Sequence, residues 1–457
     1  MAAVASSSSD PYARARARTL FILWTTYGSF YLCRANFGPV RSTMQGALGV
    51  TALQMGVVLG AVKLGYALGQ LVNGQLTERF GPKRILAIGM LGSAAATLLL
   101  AFSPQLATLS VLGGGAARLA STVSSIVGDP GGGTSGGSLL GVLLLLAFAN
   151  GWFQAGGWPP CVKIASHWFS LERRGFTMGI LGTSLTLGSA IAIAFVGLLL
   201  SLAGGWRVAF TVPALLLLVS MGHTLLRLEP RPPDGVAVDV ATAPDRLPLR
   251  AALAATLGNP RIWVLALGLF GLDAVRYGFL DWAPGHLAEA QHSGVSASAI
   301  KAAVFPLAGA LGALSSGWIT DRFFQSRRAP VCAILLGAVG ALTLTYRVVV
   351  GLGTLPTVVC LALTGFCLYG AQILLVGTAA QDFARRGATA AAAGFVDFTG
   401  HVGAFSGDVV TGSMLKHYGW GSAILWWACA AFAAAALVAT LWRARPNDAA
   451  PVVLRQL

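Results

Sequence analysis

Between Ile85 and Phe102 the chain passes through eighteen residues without meeting a charge. A helix needs about 20 apolar residues to cross the hydrocarbon of a bilayer. Comparable runs recur at about 19–40, 52–77, 83–102, 138–161, 175–202 and 207–227, and again at about 262–286, 298–320, 330–350, 355–380, 388–414 and 419–442. Backbone groups in lipid must pair within a segment or within a closed barrel. Runs this long suit helices and not the short alternating strands of a barrel. Only 10% of the 457 residues are charged, against roughly 25% in soluble domains. The expected fold is an all-α polytopic membrane protein with twelve transmembrane helices in two six-helix halves.

The same pattern divides the chain into a tail at 1–18, a first half at 19–228, a polar, Pro-rich linker at 229–259, a second half at 260–443 and a tail at 444–457. The glycine-rich stretch from Gly113 to Ser138 reads as a long loop between spans 3 and 4. The net charge of +15 invites a nucleic-acid reading, but the basic residues sit in short loops between spans. With both termini cytoplasmic, 21 Lys and Arg lie on the inside, and the outside holds 6: Arg41, Arg118, Arg207, Lys301, Arg347 and Lys416. That is the bias of cytoplasmic loops, so no nucleic-acid partner is expected. The six cysteines fall mostly in apolar runs without paired spacing and read as small core residues, not as disulfides or metal ligands. The Ser/Ala-rich start, followed by Arg14, Arg16 and Arg18, reads as a cytoplasmic tail and not as a cleaved signal.

The halves repeat. Gly74-Gln-Leu-Thr-Glu78-Arg79 follows span 2, and Gly317-Trp-Ile-Thr-Asp321-Arg322 follows span 8, each leading into paired basic residues. The two motifs are offset by 243 positions, and Arg34 and Arg276, each inside an apolar span, by 242. Two features repeating at one spacing indicate an internal duplication. The paired motif resembles the gating loops of the major facilitator superfamily.

Arginine inside a membrane costs at least a few kcal/mol and marks function more often than structure. In span 1, Tyr27, Tyr31 and Arg34 share a face, as do Lys63, Tyr66 and Gln70 in span 2. Asp273, Arg276 and Tyr277 form a polar stripe in span 7, and Asp397 and His401 another in span 11. Repeat transporters bind substrate near mid-membrane where the halves meet. Two guanidinium forks suit a phosphate, whose oxygens accept parallel hydrogen bonds. Asp273, one turn from Arg276, offers a structural partner instead. Asp273, Asp397 and His401 are also the expected carriers if a proton is moved.

Tyr31-Leu-Cys-Arg-Ala-Asn-Phe37, Gly151-Trp-Phe-Gln-Ala-Gly-Gly-Trp-Pro-Pro-Cys161 and Arg276-Tyr-Gly-Phe-Leu-Asp-Trp-Ala-Pro284, with Tyr369-Gly and Ala393-Gly-Phe395, resemble the motifs of the organophosphate:phosphate antiporters. The resemblance runs from Thr19 to about Arg443. It implies that Arg34 and Arg276 hold phosphate and that Tyr27, Tyr31, Tyr66 and Tyr369 flank it. Several positions depart from the family. Gln70 stands where a lysine is typical, with Lys63 two turns away. Ser184 stands where the glycerol-3-phosphate type has histidine. Asp273 and His401 replace tyrosines, and Asp397 is an added acid. The implied function is exchange of a sugar phosphate or glycerol phosphate for inorganic phosphate. A bacterial inner membrane is the expected location, from the absence of targeting segments. The carrier is expected to be a monomer with no cofactor, no metal and no catalytic residue. Proton symport and sugar-phosphate sensing are the alternatives. No phosphate-binding ATPase loop is present.

Overall fold

The computed structural model describes residues 13–127, 134–169, 171–203, 205–232, 249–325, 327–379, 383–384 and 388–444. The outer parts of both tails, the centre of the linker and residues 128–133 of the expected loop lie outside the described residues, as do the side chains of Arg173 and Arg174.

The described chain is helical throughout: α1 Ala13–Phe30, α2 Phe37–Leu48, α3 Ala52–Phe80, α4 Pro82–Ala101, α5 Ser103–Ala107, α6 Ser110–Val127, α7 Thr134–Gln154, α8 Trp158–Trp168, α9 Leu171–Ala203 and α10 Val208–Arg227 in the first part. Then follow α11 Leu249–Leu257, α12 Pro260–Tyr277, α13 Ala283–Ala290, α14 Val295–Ala302, α15 Val304–Phe323, α16 Arg328–Val349, α17 Thr354–Ile373, α18 Thr389–Tyr418 and α19 Trp420–Ala439. Local chemistry sets several starts. Thr51 and Gln54 cap α3 reciprocally, at 3.1 and 3.0 Å. Pro82 and Pro260 open α4 and α12, where the missing N–H is not needed. Ten helices among the described residues are long and apolar enough to cross a membrane. The more polar α1 and α18 pack in the same bundle, α1 on α9 and α10, and α18 on α3 and α12.

Two expected loops contain helix. The stretch from Gly113 to Ser138 holds most of α6 and the start of α7. Ala116 and Ala120 are buried, and Leu119 and Val123 pack on the core. A Cβ at Gly141 of α7 would fall on the Ala116 carbonyl, so small residues that read as flexible serve a close helix contact. The linker likewise holds α11, whose Ala252 and Thr256 are buried. Of the cysteines, Cys33, Cys161, Cys332 and Cys360 are buried, but Cys429 is exposed.

Among the described residues four spans are interrupted, three near their middles and span 10 near its C-terminal end. Span 1 turns through a 3₁₀ segment at Tyr31–Cys33 between α1 and α2. Span 4 breaks between α7 and α8 at Ala155-Gly-Gly157. Spans 7 and 10 carry π turns at Gly278–Trp282 and Leu374–Ala379. Such breaks cluster at functional sites and are tolerated in membranes where other groups satisfy the freed backbone. Neighbouring spans cross closely in both halves. A Cβ at Gly65 or Gly151 would meet the backbone of Phe148 or Val62, and one at Gly312 or Gly365 that of Phe366 or Phe305.

The halves meet along α3 and α18, with Gly56 on Asp408 and Gly412 on Ala52. At this end, opposite the termini, Arg41 is buried against Trp282 and Trp420, 4.7 and 5.3 Å from the ring centres, with Glu289 at 3.7 Å. The expectation made Arg41 a loop charge. Instead it fills a pocket of the other half and helps close that end.

Candidate functional site

Arg34 lies just past the 3₁₀ turn of span 1. Breaking the helix frees carbonyls, and α7 satisfies them. Asn150 donates to the Cys33 carbonyl at 2.8 Å, and Gln154 to the Phe30 carbonyl at 3.0 Å. Ser93 of α4 ties the two amides together, donating to Asn150 at 2.7 Å and accepting from Gln154 at 2.7 Å. Gln154 then accepts from Arg34 Nε at 3.2 Å, and Arg34 Nη1 donates to the Tyr31 hydroxyl at 3.2 Å. The guanidinium lies over Tyr66 at 4.3 Å and Tyr31 at 4.8 Å. Its Nη2 is buried and has no hydrogen-bond partner among the described residues. Arg34 is therefore held by neutral groups and stays a positive centre with a donor to spare.

Arg276 comes from the other half, immediately before the π turn of span 7. Its Nε lies 3.0 Å from Asp273 Oδ1, both side chains being buried. The two atoms are in charge contact but out of line for a hydrogen bond. The guanidinium also lies over Tyr277 at 4.5 Å. Arg34, Arg276, Tyr31, Tyr277 and Tyr369 line one cavity that reaches Asp281. A second is lined by Arg34, Lys63, Tyr66, Asp281 and His401. The arginines thus border a shared space between the halves, as their 242-residue offset suggests.

The remaining expected residues divide. His401 stacks on Tyr66 at 4.5 Å, and its Nδ1 lies 3.8 Å from Asp397. Gln70 faces Asp397. Tyr27 packs behind the site against Tyr31 and Trp158, at 5.9 and 5.0 Å. Ser184 is fully buried where α9 crosses Gly28 and donates to the Leu181 carbonyl at 2.5 Å. This differs from its expected place in the cavity, because a small residue is needed where the two helices touch. Lys63, expected on the binding face of span 2 with Tyr66 and Gln70, contacts Asp281 and lies 2.9 Å from Asp408. Of the loop motifs, Glu78 pairs with Lys163 at 2.6 Å and Asp321 with Arg328 at 2.8 Å, while Arg79 lies over Phe80 at 5.4 Å. Gly74 and Gly317 have open space around them, and Arg322 is exposed.

Sequence reasoning missed Asn150, Gln154, Asp281 and Asp408. The first two are an i, i+4 amide pair in an otherwise apolar span, which is a readable signal. Asp281 lay inside a quoted motif. Asp408 and Lys63 find each other only through the packing of α3 on α18.

The Major Facilitator Superfamily model matches residues 23–408. The glycerol-3-phosphate transporter of Bacillus subtilis is 27% identical over 446 residues, covering 94% of this chain and 93% of that one. The "Probable hexose phosphate transport protein" of Chlamydia muridarum is 24% identical over 89% of this chain and 86% of its own length. The membrane sensor protein UhpC of Salmonella typhimurium is 27% identical, again over 89% and 86%. Among solved structures, a bacterial homolog of the human lysosomal transporter Spinster, inward-facing and occupied, superposes with a TM-score of 0.72 at 18% identity, over 97% of this chain and 99% of that one. That last likeness speaks for the fold alone. The chain is a multi-pass membrane protein of the major facilitator superfamily, and its relatives are those of the organophosphate:phosphate antiporter family.

Proposed function

We propose that the chain is a secondary active transporter that moves a small phosphorylated organic anion, of the sugar phosphate or glycerol phosphate class, by alternating access. Inorganic phosphate is its exchange partner. The observation that carries this is the pair Arg34 and Arg276, one from each half, bordering one cavity with Tyr31, Tyr277 and Tyr369. Arg34 Nη2 has no hydrogen-bond partner among the described residues, and a phosphate oxygen supplies one. An anion reaching both arginines draws the halves together, and rocking then exposes it on the other side. The proposed carrier is a monomer in a bacterial inner membrane, with both termini in the cytoplasm. Its halves are 19–228 and 260–443, and Tyr27, Tyr66, Gln70 and Ser184 support the binding face rather than all touching substrate.

The test is uptake of labelled glycerol-3-phosphate and glucose-6-phosphate into phosphate-loaded proteoliposomes. Uptake of at least one that needs internal phosphate is expected. Uptake indifferent to internal phosphate rules out obligate exchange, and binding without flux points to a sensor. Proton-linked uptake is the second reading. It is favoured by the contact of Asp273 with Arg276, which leaves the clamp with less net charge than two free arginines.

A further inference from the structure

A second ionic cluster lies beside the Arg34 cavity, and neither the clamp nor the loop motifs use it. Lys63 of α3 contacts Asp281 of the span 7 π turn and lies 2.9 Å from Asp408 of α18. All three side chains are buried, at 6% exposure or less. Trp282 Nε1 donates to Asp408 Oδ1 at 2.9 Å, while Asp408 Oδ2 has no aligned hydrogen bond.

Charge decides what this cluster can bind. One ammonium stands between two carboxylates. Two of the other cations nearby have an acid beside them. Arg41, which feels the field of Asp281, has Glu289 at 3.7 Å. Arg276 has Asp273 at 3.0 Å. Arg34 is held by neutral groups and meets Asp397 only across the cavity. His401 is hydrogen-bonded through Nδ1 with the Asp397 carbonyl, and Tyr277 presents a neutral ring to Lys63 at 4.7 Å. The triad alone therefore carries an excess negative charge. An uncompensated charge sealed from water costs several kcal/mol, and the smallest ligand that removes it is a proton.

We propose that Lys63, Asp281 and Asp408 form the binding site for a coupling proton, carried on Asp408 Oδ2 when the halves are closed at the end opposite the termini. The ammonium comes from the first half and both carboxylates from the second. Separation at that end parts them and wets the site. When that end is closed, Lys63 and Asp281 still line the cavity that holds Arg34 and His401, so the proton leaves toward the other side. A bound proton thus favours closure at this end, and its loss favours reopening. Each exchange cycle then carries one proton inward with the substrate, the return stroke with phosphate leaves the site unprotonated, and an acid exterior drives substrate uptake. This deepens the transport reading and rests on it only for the coupling, not for the proton site itself.

The test separates the two. Spin labels at Ala47→Cys and Ala297→Cys, both exposed at the closed end of opposite halves, are placed in protein whose Cys367 and Cys429 are serine. Pulsed distance measurements are made without substrate at about pH 5.5 and about pH 8, on either side of the range where a buried carboxyl with a mixed environment titrates. The short-distance population is expected to shrink as pH rises. Asp408→Asn and, independently, Asp281→Asn leave one carboxylate for Lys63, so both should stay short at either pH. Asp408→Glu should keep the response. Retention of the full pH response in both Asn variants overturns the proposal, as does its absence from the parent protein. In phosphate-loaded proteoliposomes with glycerol-3-phosphate as probe, an acid exterior should raise accumulation by the parent protein. Exchange by Asp408→Asn should not respond to the pH gradient. If this probe is not carried at all, the organophosphate reading fails while the distance measurement still decides the proton site.

Discussion

The quasi-equivalent arginines are held in opposite ways. Arg34 is positioned by an uncharged network of Gln154, Asn150, Ser93 and the Tyr31 hydroxyl. Arg276 is positioned by a carboxylate, Asp273. Neutral amides orient a guanidinium without cancelling its charge, whereas a buried carboxylate cancels most of it at close range. One half therefore presents a standing positive centre, and the other a charge that is released only if Asp273 is protonated or displaced. The internal duplication conserves the position of each arginine in the fold but not its electrostatic state.

The comparison breaks most clearly at Arg34 itself. Arg34→Lys keeps the charge but removes the fork that spans Gln154, Tyr31 and the free Nη2. Losing a partner of a buried, hydrogen-bonded charge costs about 2–5 kcal/mol, so transport should fall about 100-fold or more in the proteoliposome assay. Arg276→Lys should lose less, since its charge is already matched. Equal losses would mean that the two arginines are electrostatically alike after all.

Asp273→Asn tests the other half. Removing one partner of a buried pair leaves a bare charge and costs about 3–5 kcal/mol. The anion-free protein should melt several degrees lower. Added phosphate should recover most of that loss, because it replaces the missing negative charge. A melting temperature unmoved by either change would show that the Asp273 contact carries little energy, in keeping with its misaligned geometry.

Gln154→Ala is expected to have a smaller effect. It strands the Phe30 carbonyl and Arg34 Nε, and an unsatisfied buried group costs about 1–3 kcal/mol. Substrate affinity should fall about tenfold with the maximal rate nearly kept, as measured by concentration dependence of uptake. A fall in rate alone would show that the amide acts on the rocking and not on the arginine.

The sequence carries the architecture well because its signals are long. Apolar runs and a repeat near 242 residues survive any local irregularity. The arginines were legible too, since a guanidinium in an apolar run is costly. What the sequence hid depends on contacts between spans. Nothing local says that Ser184 packs under Gly28, or that Lys63 is taken up by two acids more than 200 residues away. Arg41 looked like a loop charge because charge counting knows only the order of spans, not that Trp282 and Trp420 provide a pocket. The glycine- and alanine-rich α6 looked like a loop because small residues serve both flexible turns and close helix contacts.

The smallest effects are expected where the halves come nearest to matching, at their repeated loop motifs. Glu78 reaches across to Lys163 on another span, whereas Asp321 pairs with Arg328 seven residues along. Both carboxylates are more than half exposed, and exposed pairs contribute about 0–1 kcal/mol. Glu78→Gln and Asp321→Asn should therefore leave thermal stability nearly unchanged. Glu78→Gln should slow transport, because the Glu78–Lys163 pair ties α3 to α8 and must re-form on each stroke if the first half bends between them. A slower turnover in Glu78→Gln than in Asp321→Asn would assign that pair a mechanical role in the first half. Equal slowing in both would mean that the acid acts through its loop and not through the partner it reaches.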